Sequence, residues 1–226
     1  MKTIERRTLG RTGMTPKALG IGCAWFGSDK SSDSDTIAGV RRAIDLGLDY
    51  IDTSAGYGES ERRVGLALAD GYRDKVYLQT KAGTHPEHRG DYSAKTTRWS
   101  VENSLRQLGT DYLDSVLIHD PSDIKDPLAS GYALDELLNM KEEGLIGHIG
   151  LGVRNHDFHR KAIETGHIEI VLSFLDYTLL DQSVASTTLP LAKERGIGVI
   201  LASVFAMGTL TGVEPDLETE KRRNPD

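Results

Sequence analysis

Residues 48–69, LDYIDTSAGYGESERRVGLALA, contain a strand, a glycine-rich turn and a helix in direct succession. The apolar run at residues 48–51 predicts the strand, and the pattern at residues 61–69 predicts the helix. Between them, Asp52 and Tyr57 place a carboxylate and a phenol in the turn. Polar side chains at the C-terminal end of a strand are where α/β folds hold their chemistry. We therefore expect a functional site at this turn.

The same alternation continues along the chain, with a repeat of about 30 residues. Apolar runs predict strands at residues 18–22, 48–51, 76–80, 115–118, 148–151, 170–174 and 198–202. Helical patterns lie between them, at residues 34–46, 61–69, 94–107, 132–143, 157–165 and 183–195. Pro190 either kinks the last helix or marks a later start. This alternation favours a (β/α)8 TIM barrel, in which every strand ends at one mouth.

Two short segments at residues 3–9 and 14–17 flank the sequence GRTG and predict an N-terminal β-hairpin. The alternative fold is a doubly wound sheet, which usually carries a glycine fingerprint after its first strand. Residues 20–25, GIGCAW, contain Gly-x-Gly without the third glycine. The barrel is therefore favoured, and residues 1–226 are expected to form one domain.

The composition limits the classes of function. A net charge of -7 and an isoelectric point near 5.5 argue against a nucleic-acid surface. No apolar run reaches the roughly 18 residues of a membrane span, and the charged N-terminus lacks the apolar core of a signal peptide. We expect a cytoplasmic protein. The single cysteine, Cys23, excludes an internal disulfide and a multi-cysteine metal site.

Three consecutive predicted strands lead into ionisable residues. Asp52 and Tyr57 follow the second strand, Lys81 the third and His119 the fourth. Adjacent strands of a barrel bring such side chains to the same level of one mouth. Each residue alone is more often structural, as a turn aspartate, a packing tyrosine, a solvated lysine or a hydrogen-bonded histidine. Together, the four are better explained as one site.

The chemistry of these four residues suits proton transfer. An isolated tyrosine has a pKa near ~10, and an ammonium beside its oxygen favours the phenolate and lowers that pKa. Asp52 would hold the Lys81 ammonium next to Tyr57. His119 would donate a hydrogen bond to a substrate carbonyl oxygen or steady the proton of the phenol. Such a site moves protons, so an oxidation or reduction also needs a cofactor.

Two histidine pairs are weaker candidates. His85 and His88 follow the third predicted strand, and His156 and His159 follow the fifth. Neither pair has an evident third metal ligand. We expect no metal site.

Motifs along the whole chain resemble the aldo-keto reductase family. They are LGRTG at residues 9–13, LGIG at 19–22, DTSAGYG at 52–58, QTK at 79–81, IH at 118–119 and SVFAMGTLTG at 203–212. The resemblance implies a barrel that binds NADP or NAD, with Asp52, Tyr57, Lys81 and His119 as the catalytic tetrad. Residues 118–121 and 149–154 are most similar to the bacterial aldose or L-fucose 1-dehydrogenases and to related pyridoxal dehydrogenases.

The resemblance implies a hydride transfer between nicotinamide and an aldehyde, ketone or sugar hemiacetal, with Tyr57 as general acid/base. One alternative is a non-catalytic nucleotide-binding or scaffold barrel. Another is a lyase or isomerase in which Lys81 forms a Schiff base. This last reading is the weakest, because a nearby Asp52 would keep Lys81 protonated and a poor nucleophile.

The cofactor contacts of the family are matched only in part. Where the family commonly has Ser-Asn after strand five, this chain has Gly152 and Val153, so Asn155 or backbone groups would take their place. The family's glutamine on strand six falls near Ser173, and its stacking aromatic residue falls near Ala202. With Phe205 as the aromatic stand-in, the implied cofactor-binding residues are Gly22, Trp25, Asp52, Asn155, Ser203, Phe205 and Gly208.

The resemblance also implies that the chain is incomplete at its C-terminus. Residues 213–226 are a charged stretch, whereas a family member would continue for roughly 80 to 100 residues through an eighth strand and further helices. Seven strands would leave the barrel open, with exposed edges at the first and last strands. A fragment of a longer protein, or a second chain that supplies the rest, would explain this. As a whole molecule, the chain would be expected to bind cofactor weakly and to have low stability.

Overall fold

The computed structural model describes residues 4–212, whose central feature is a sheet of seven parallel strands. The strands are β1 (Ile21–Gly22), β2 (Tyr50–Asp52), β3 (Tyr77–Ala82), β4 (Leu113–His119), β5 (Ile146–Gly152), β6 (Ile170–Phe174) and β7 (Gly198–Ala202). Each strand pairs with the next in sequence, from β1 to β7. This order confirms the predicted (β/α) barrel, while the charged stretch at residues 213–226 lies outside the described part.

Helices connect the strands, as the alternation predicts. They are α1 (Asp33–Asp45), α2 (Ser60–Leu68), α3 (Ala94–Leu108), α4 (Lys125–Leu128), α5 (Ala133–Glu142), α6 (His156–Glu164) and α7 (Thr188–Arg195). The last helix starts later than the predicted residue 183, since Pro190 is tolerated only in a first turn. The short helix α4 was not predicted. None of the helices within residues 4–212 has the length and apolarity needed to cross a membrane.

The strands present different side chains to their two faces. The outer face packs against the helices through residues such as Ile51, Leu78, Val116, Ile149 and Val171. The inner face forms a second cluster that contains Tyr50, Leu117, Ile170 and Leu172. Because side chains alternate along a strand, Asp52 lies on the same face as Tyr50, and His119 on the same face as Leu117. The polar strand ends therefore point into the barrel.

The N-terminal segment folds back on itself, as predicted. Arg6 and Lys17 form an antiparallel bridge, and Leu9 N–H donates to the Met14 carbonyl at 2.9 Å. Leu9 and Met14 are buried in the inner cluster. Gly10 has φ +55°, and a Cβ there would lie 2.1 Å from the Gly198 nitrogen, so only glycine fits. The hairpin thus covers the barrel at the start of β7, opposite the mouth.

Candidate active site

Asp52 and Lys81 form a buried ion pair inside the barrel mouth. Lys81 Nζ lies 2.7 Å from Asp52 Oδ1 and 2.8 Å from Oδ2, and it also donates to the Thr53 carbonyl at 2.7 Å. Only 1% of Lys81 is exposed. Burial opposes the charged form, but Asp52 and the Tyr57 oxygen outweigh it and raise the pKa of Lys81 above its usual value. Lys81 is therefore a fixed ammonium group.

Gln79 holds Asp52 from β3. Its Nε2 donates to Asp52 Oδ1 at 2.7 Å, and its Oε1 accepts from the Tyr50 hydroxyl at 2.8 Å and the Ser115 hydroxyl at 3.0 Å. Gln79 is not among the site residues predicted from the sequence. Gln79 stands two positions before Lys81 on the same strand, so the two side chains must share a face. That alternation is the signal that could have identified it.

Tyr57 contacts both Lys81 and His119 through its ring. Lys81 Nζ is 4.7 Å from the centroid of the Tyr57 ring, and the His119 ring meets that ring edge-on at a centroid distance of 5.7 Å. Burial raises the pKa of Tyr57 above its ordinary value, Lys81 lowers it, and Asp52 raises it further. The net direction is upward, so the expected lowering by Lys81 is present but outweighed. Tyr57 is a protonated phenol at neutral pH.

The turn that carries Tyr57 is fixed by close backbone contacts. Tyr57 N–H donates to the Ser54 carbonyl at 3.0 Å, and Glu59 N–H donates to the Gly27 carbonyl at 3.3 Å. A Cβ at Gly27 would lie 1.4 Å from the Tyr57 carbonyl oxygen. The loop after β1 therefore contacts the turn after β2 directly, and this contact requires glycine at position 27.

His119 is held at the end of β4 by three hydroxyl groups. Its Nδ1 lies 2.8 Å from Thr84 Oγ1 and 3.2 Å from Ser54 Oγ, and the Tyr92 hydroxyl donates to its carbonyl at 2.6 Å. Burial, together with the positive charge of Lys81, lowers the pKa of His119 to about 3. The imidazole is therefore neutral and carries a single ring hydrogen. The hydroxyl partners, which lie in two different loops, are not among the site residues predicted from the sequence.

Several of the implied cofactor residues suit an extended ligand at the mouth. Gly22 pairs with Asp52 in register, and a Cβ at Gly22 would meet no atom within 4 Å. This leaves space beside the tetrad for a flat ring. Trp25 is 61% exposed and Phe205 is 62% exposed, so both aromatic faces are available to a ligand. These residues leave room for a flat ligand at the mouth.

The remaining implied residues differ in what the structure allows. Ser203 and Gly208, in the segment after β7, have φ of 54° and 100°. A left-handed backbone conformation of this kind can direct amide N–H groups toward a bound anion. Asn155 instead caps α6, because its Oδ1 accepts from the Asp157 and Phe158 amides at 3.0 and 3.3 Å. Its side-chain oxygen is thus already used. This weakens the expectation that Asn155 replaces the family's amide-binding residues.

Ser173 does not take the place of the family's glutamine. It alternates on β6 with Leu172, which belongs to the inner cluster, so Ser173 faces the helices. Its hydroxyl donates to the buried carboxylate of Asp176. The alignment of sequence positions could not show this orientation, because it depends on which strand face is inward.

The two histidine pairs have partners of other kinds. His85 and His88 both meet the ring of Trp99 edge-on at 4.7 Å. His156 Nε2 lies 2.8 Å from the Asp176 carboxylate, and His159 Nε2 lies 2.7 Å from the Val153 carbonyl. Within residues 4–212, no group of three or more His, Cys, Asp or Glu residues is arranged to hold a metal ion.

Comparison with known families agrees with this geometry. Residues 18–226 match the model of the Aldo/keto reductase family. The chain belongs to the aldo-keto reductase family. Aldo-keto reductases are oxidoreductases that use NADP or NAD, and the chain is an enzyme of this class.

Individual relatives within the family include sugar dehydrogenases. The chain is 34% identical to L-galactose dehydrogenase of Arabidopsis thaliana, over 95% of this chain and 70% of that protein. It is 31% identical to D-threo-aldose 1-dehydrogenase of Pseudomonas sp, over 90% of this chain and 70% of that protein. A solved Pseudomonas aeruginosa structure assigned to the aldo-keto reductases has a TM-score of 0.80 and 31% identity, covering 89% of this chain and 79% of that one.

Proposed function

We propose that this aldo-keto reductase acts on an aldehyde, a ketone or the hemiacetal of an aldose, with Tyr57 as general acid/base. The observation that carries the proposal is the contact of the Tyr57 ring with both the Lys81 ammonium and the neutral His119 ring. The names of two relatives, which specify L-galactose and D-threo-aldoses, favour aldoses among these substrates. Gly22, Trp25 and Phe205 would hold the cofactor, and NADP or NAD supplies or accepts the hydride when bound.

In the reducing direction, Tyr57 donates its proton to the substrate carbonyl oxygen. Its raised pKa keeps the phenol protonated until this step. As the proton leaves, the negative charge that develops on the phenol oxygen lies close to the Lys81 ammonium, which stabilises it. In the oxidising direction, the same oxygen accepts the proton of the substrate hydroxyl.

Asp52 and Gln79 keep Lys81 in place for this role. An unpaired ammonium with 1% exposure would be strongly disfavoured, so the Asp52 carboxylate is needed for Lys81 to stay charged. Gln79 in turn fixes one oxygen of that carboxylate. The same pairing opposes a Schiff-base enzyme, because such a lysine must be neutral to attack a carbonyl.

A substrate panel with the full-length gene product tests the proposal. L-Galactose, L-fucose, D-arabinose, pyridoxal and simple aldehydes would each be assayed with NADP and NAD, in both directions. We expect turnover of at least one aldose or aldehyde, measured as a change in nicotinamide absorbance. Binding of NADPH, followed by fluorescence, without turnover of any substrate would contradict the proposal and favour a non-catalytic nucleotide-binding barrel.

A further inference from the structure

Two hydroxyl groups surround the Nδ1 atom of His119. Thr84 Oγ1 is 2.8 Å and Ser54 Oγ is 3.2 Å from Nδ1, and the two oxygens are 3.4 Å from each other. The Gly56 N–H donates to Ser54 Oγ at 3.1 Å. All three side chains are buried. The three polar atoms therefore form a closed triangle with little access to water.

Counting hydrogens shows which way this triangle is bonded. Suppose first that Nδ1 carries the ring hydrogen. Three hydrogens would then share two acceptor oxygens, because a protonated Nδ1 cannot accept, and one buried hydroxyl would lack a partner within the triangle. Suppose instead that Nδ1 is bare. Thr84 then donates to Nδ1, Ser54 donates to Thr84 Oγ1, and every hydrogen has an acceptor.

The cost of the first arrangement decides between them. A buried hydroxyl without a hydrogen bond carries the full penalty of having lost its water partners, so the first arrangement is disfavoured. The opposite ring nitrogen also favours the second arrangement. His119 Nε2 lies 3.5 Å from Asp120 Oδ2. A carboxylate oxygen is attracted to an Nε2 that carries a hydrogen and is repelled by the lone pair of an Nε2 that does not.

We propose that Ser54 and Thr84 are positioning residues that fix His119 in the tautomer with its hydrogen on Nε2. The hydrogen then lies on the edge of the ring that faces away from the two hydroxyls, toward Asp120 at the end of β4. A substrate oxygen that accepts from His119 would have to approach this edge. The consequence for catalysis rests on the proposed function, whereas the tautomer itself does not.

The tautomer can be measured directly by NMR. In 15N-labelled protein without cofactor or substrate, long-range 1H–15N correlations distinguish a protonated from a bare ring nitrogen. The chain has seven histidines, so His119 is assigned by the signals that disappear in His119→Gln. We expect a bare Nδ1 and a protonated Nε2 between pH 5 and pH 8. A protonated Nδ1 in the unmodified chain would overturn the proposal.

Variants then test whether the hydroxyls cause this preference. Thr84→Val keeps the shape of the side chain without its hydroxyl. Because Ser54 Oγ, 3.2 Å from Nδ1, can still donate to a bare Nδ1, we expect a mixture of tautomers only when Thr84→Val is combined with Ser54→Ala. Thr84→Ser, the matched control, keeps the hydroxyl and should keep the original tautomer. An unchanged tautomer in the double variant would refute the role of the two residues. If the double variant does not fold, the unmodified chain decides, because a protonated Nδ1 there contradicts the hydrogen count.

Kinetics separate this proposal from the proposed function. In the double variant we expect kcat to fall by about tenfold, with the dissociation constant for NADPH unchanged, because only hydrogen-bond donation to the substrate is affected. The expected tautomer without turnover of any carbonyl or sugar would contradict the proposed function alone. Turnover with the opposite tautomer would contradict the positioning role alone.

Discussion

At the scale of single residues, the pKa of Tyr57 is set by opposing effects of burial and of its immediate charged neighbours. Burial and the Asp52 carboxylate favour the protonated phenol, and Lys81 favours the phenolate. A tyrosine that donates a proton must be a protonated phenol before the reaction, and its phenolate must be stabilised as the proton leaves. The site provides both, because Lys81 lies beside the ring and burial excludes water.

The residue types at the strand ends were enough to predict that Asp52, Lys81 and His119 lie together. They were not enough to predict the net pKa of Tyr57, because the degree of burial is a property of the folded chain. Gln79 was within reach of sequence reasoning, since alternation on β3 places it with Lys81. Ser54 and Thr84 were not, because their contact with His119 joins loops that are far apart in sequence.

Replacing Gln79 tests the support of the ion pair. Gln79→Leu removes the donor to Asp52 and leaves the Tyr50 and Ser115 hydroxyls without their acceptor. We expect a loss of about 1–3 kcal/mol in the free energy of unfolding and a fall in kcat of about tenfold, since Lys81 is held less firmly. Urea denaturation and steady-state kinetics measure the two effects. The exposed Gln107→Leu is the matched control, with a change within about 0.5 kcal/mol.

At the scale of elements, the barrel is built from strands whose positions the apolar runs predicted well. β6 and β7 have the predicted bounds, and β4 and β5 extend beyond theirs. The start of α7 could not be predicted from local sequence, because Pro190 is compatible both with a kinked helix and with a helix that starts later. The contact between the loop after β1 and the turn after β2 was also invisible in the sequence, since it joins two backbones through Gly27.

Two glycines give opposite predictions for the same substitution. A Cβ at Gly27 would overlap the Tyr57 carbonyl, so Gly27→Ala should displace the turn that carries Tyr57 and lower stability by about 2 kcal/mol or more. Gly39 lies in α1, where a Cβ would make an ordinary 3.8 Å contact with Phe26. Gly39→Ala should raise stability by about 0.5–1 kcal/mol. Thermal unfolding of the two variants measures this difference, and equal effects would contradict the described packing.

At the scale of the whole molecule, the order of strands in the sheet is the same as their order in the sequence, since each strand pairs with the next. The regular alternation of strands and helices predicts that order, and right-handed connections bring all C-terminal ends to one mouth. The contacts of a dinucleotide across that mouth could be predicted only in part. Asn155 and Ser173 show why, since a helix cap and an outward strand face are decided by the folded structure.

The stability of the molecule should also depend on pH through its buried histidines. Burial lowers the pKa of His159 to about 4, so the folded chain keeps this ring neutral while the unfolded chain protonates it below pH ~6.5. The unfolded state then binds more protons, and stability falls as pH decreases from about 6.5 toward 4. For His159 alone we expect a loss of about 2 kcal/mol between pH 7 and pH 5.

Urea denaturation at pH 7 and pH 5 measures that loss in the unmodified chain and in His159→Gln. The variant removes the titrating group and retains a side chain that can donate to the Val153 carbonyl. Because the other titrating groups are common to both proteins, the difference between their pH dependences isolates His159. An identical pH dependence in the two proteins would show that His159 titrates alike in the folded and unfolded states.

The central claim, that Tyr57 moves the proton in a cofactor-dependent oxidation or reduction, is tested most directly by Tyr57→Phe. The measurement compares turnover of an accepted substrate and NADPH binding in this variant and in Tyr72→Phe, which loses a hydroxyl bonded to Asp45 outside the mouth. We predict that Tyr57→Phe lowers kcat by on the order of a hundredfold to ten-thousandfold while NADPH binding is preserved, and that Tyr72→Phe changes neither. Turnover of Tyr57→Phe at the unmodified rate would contradict the account.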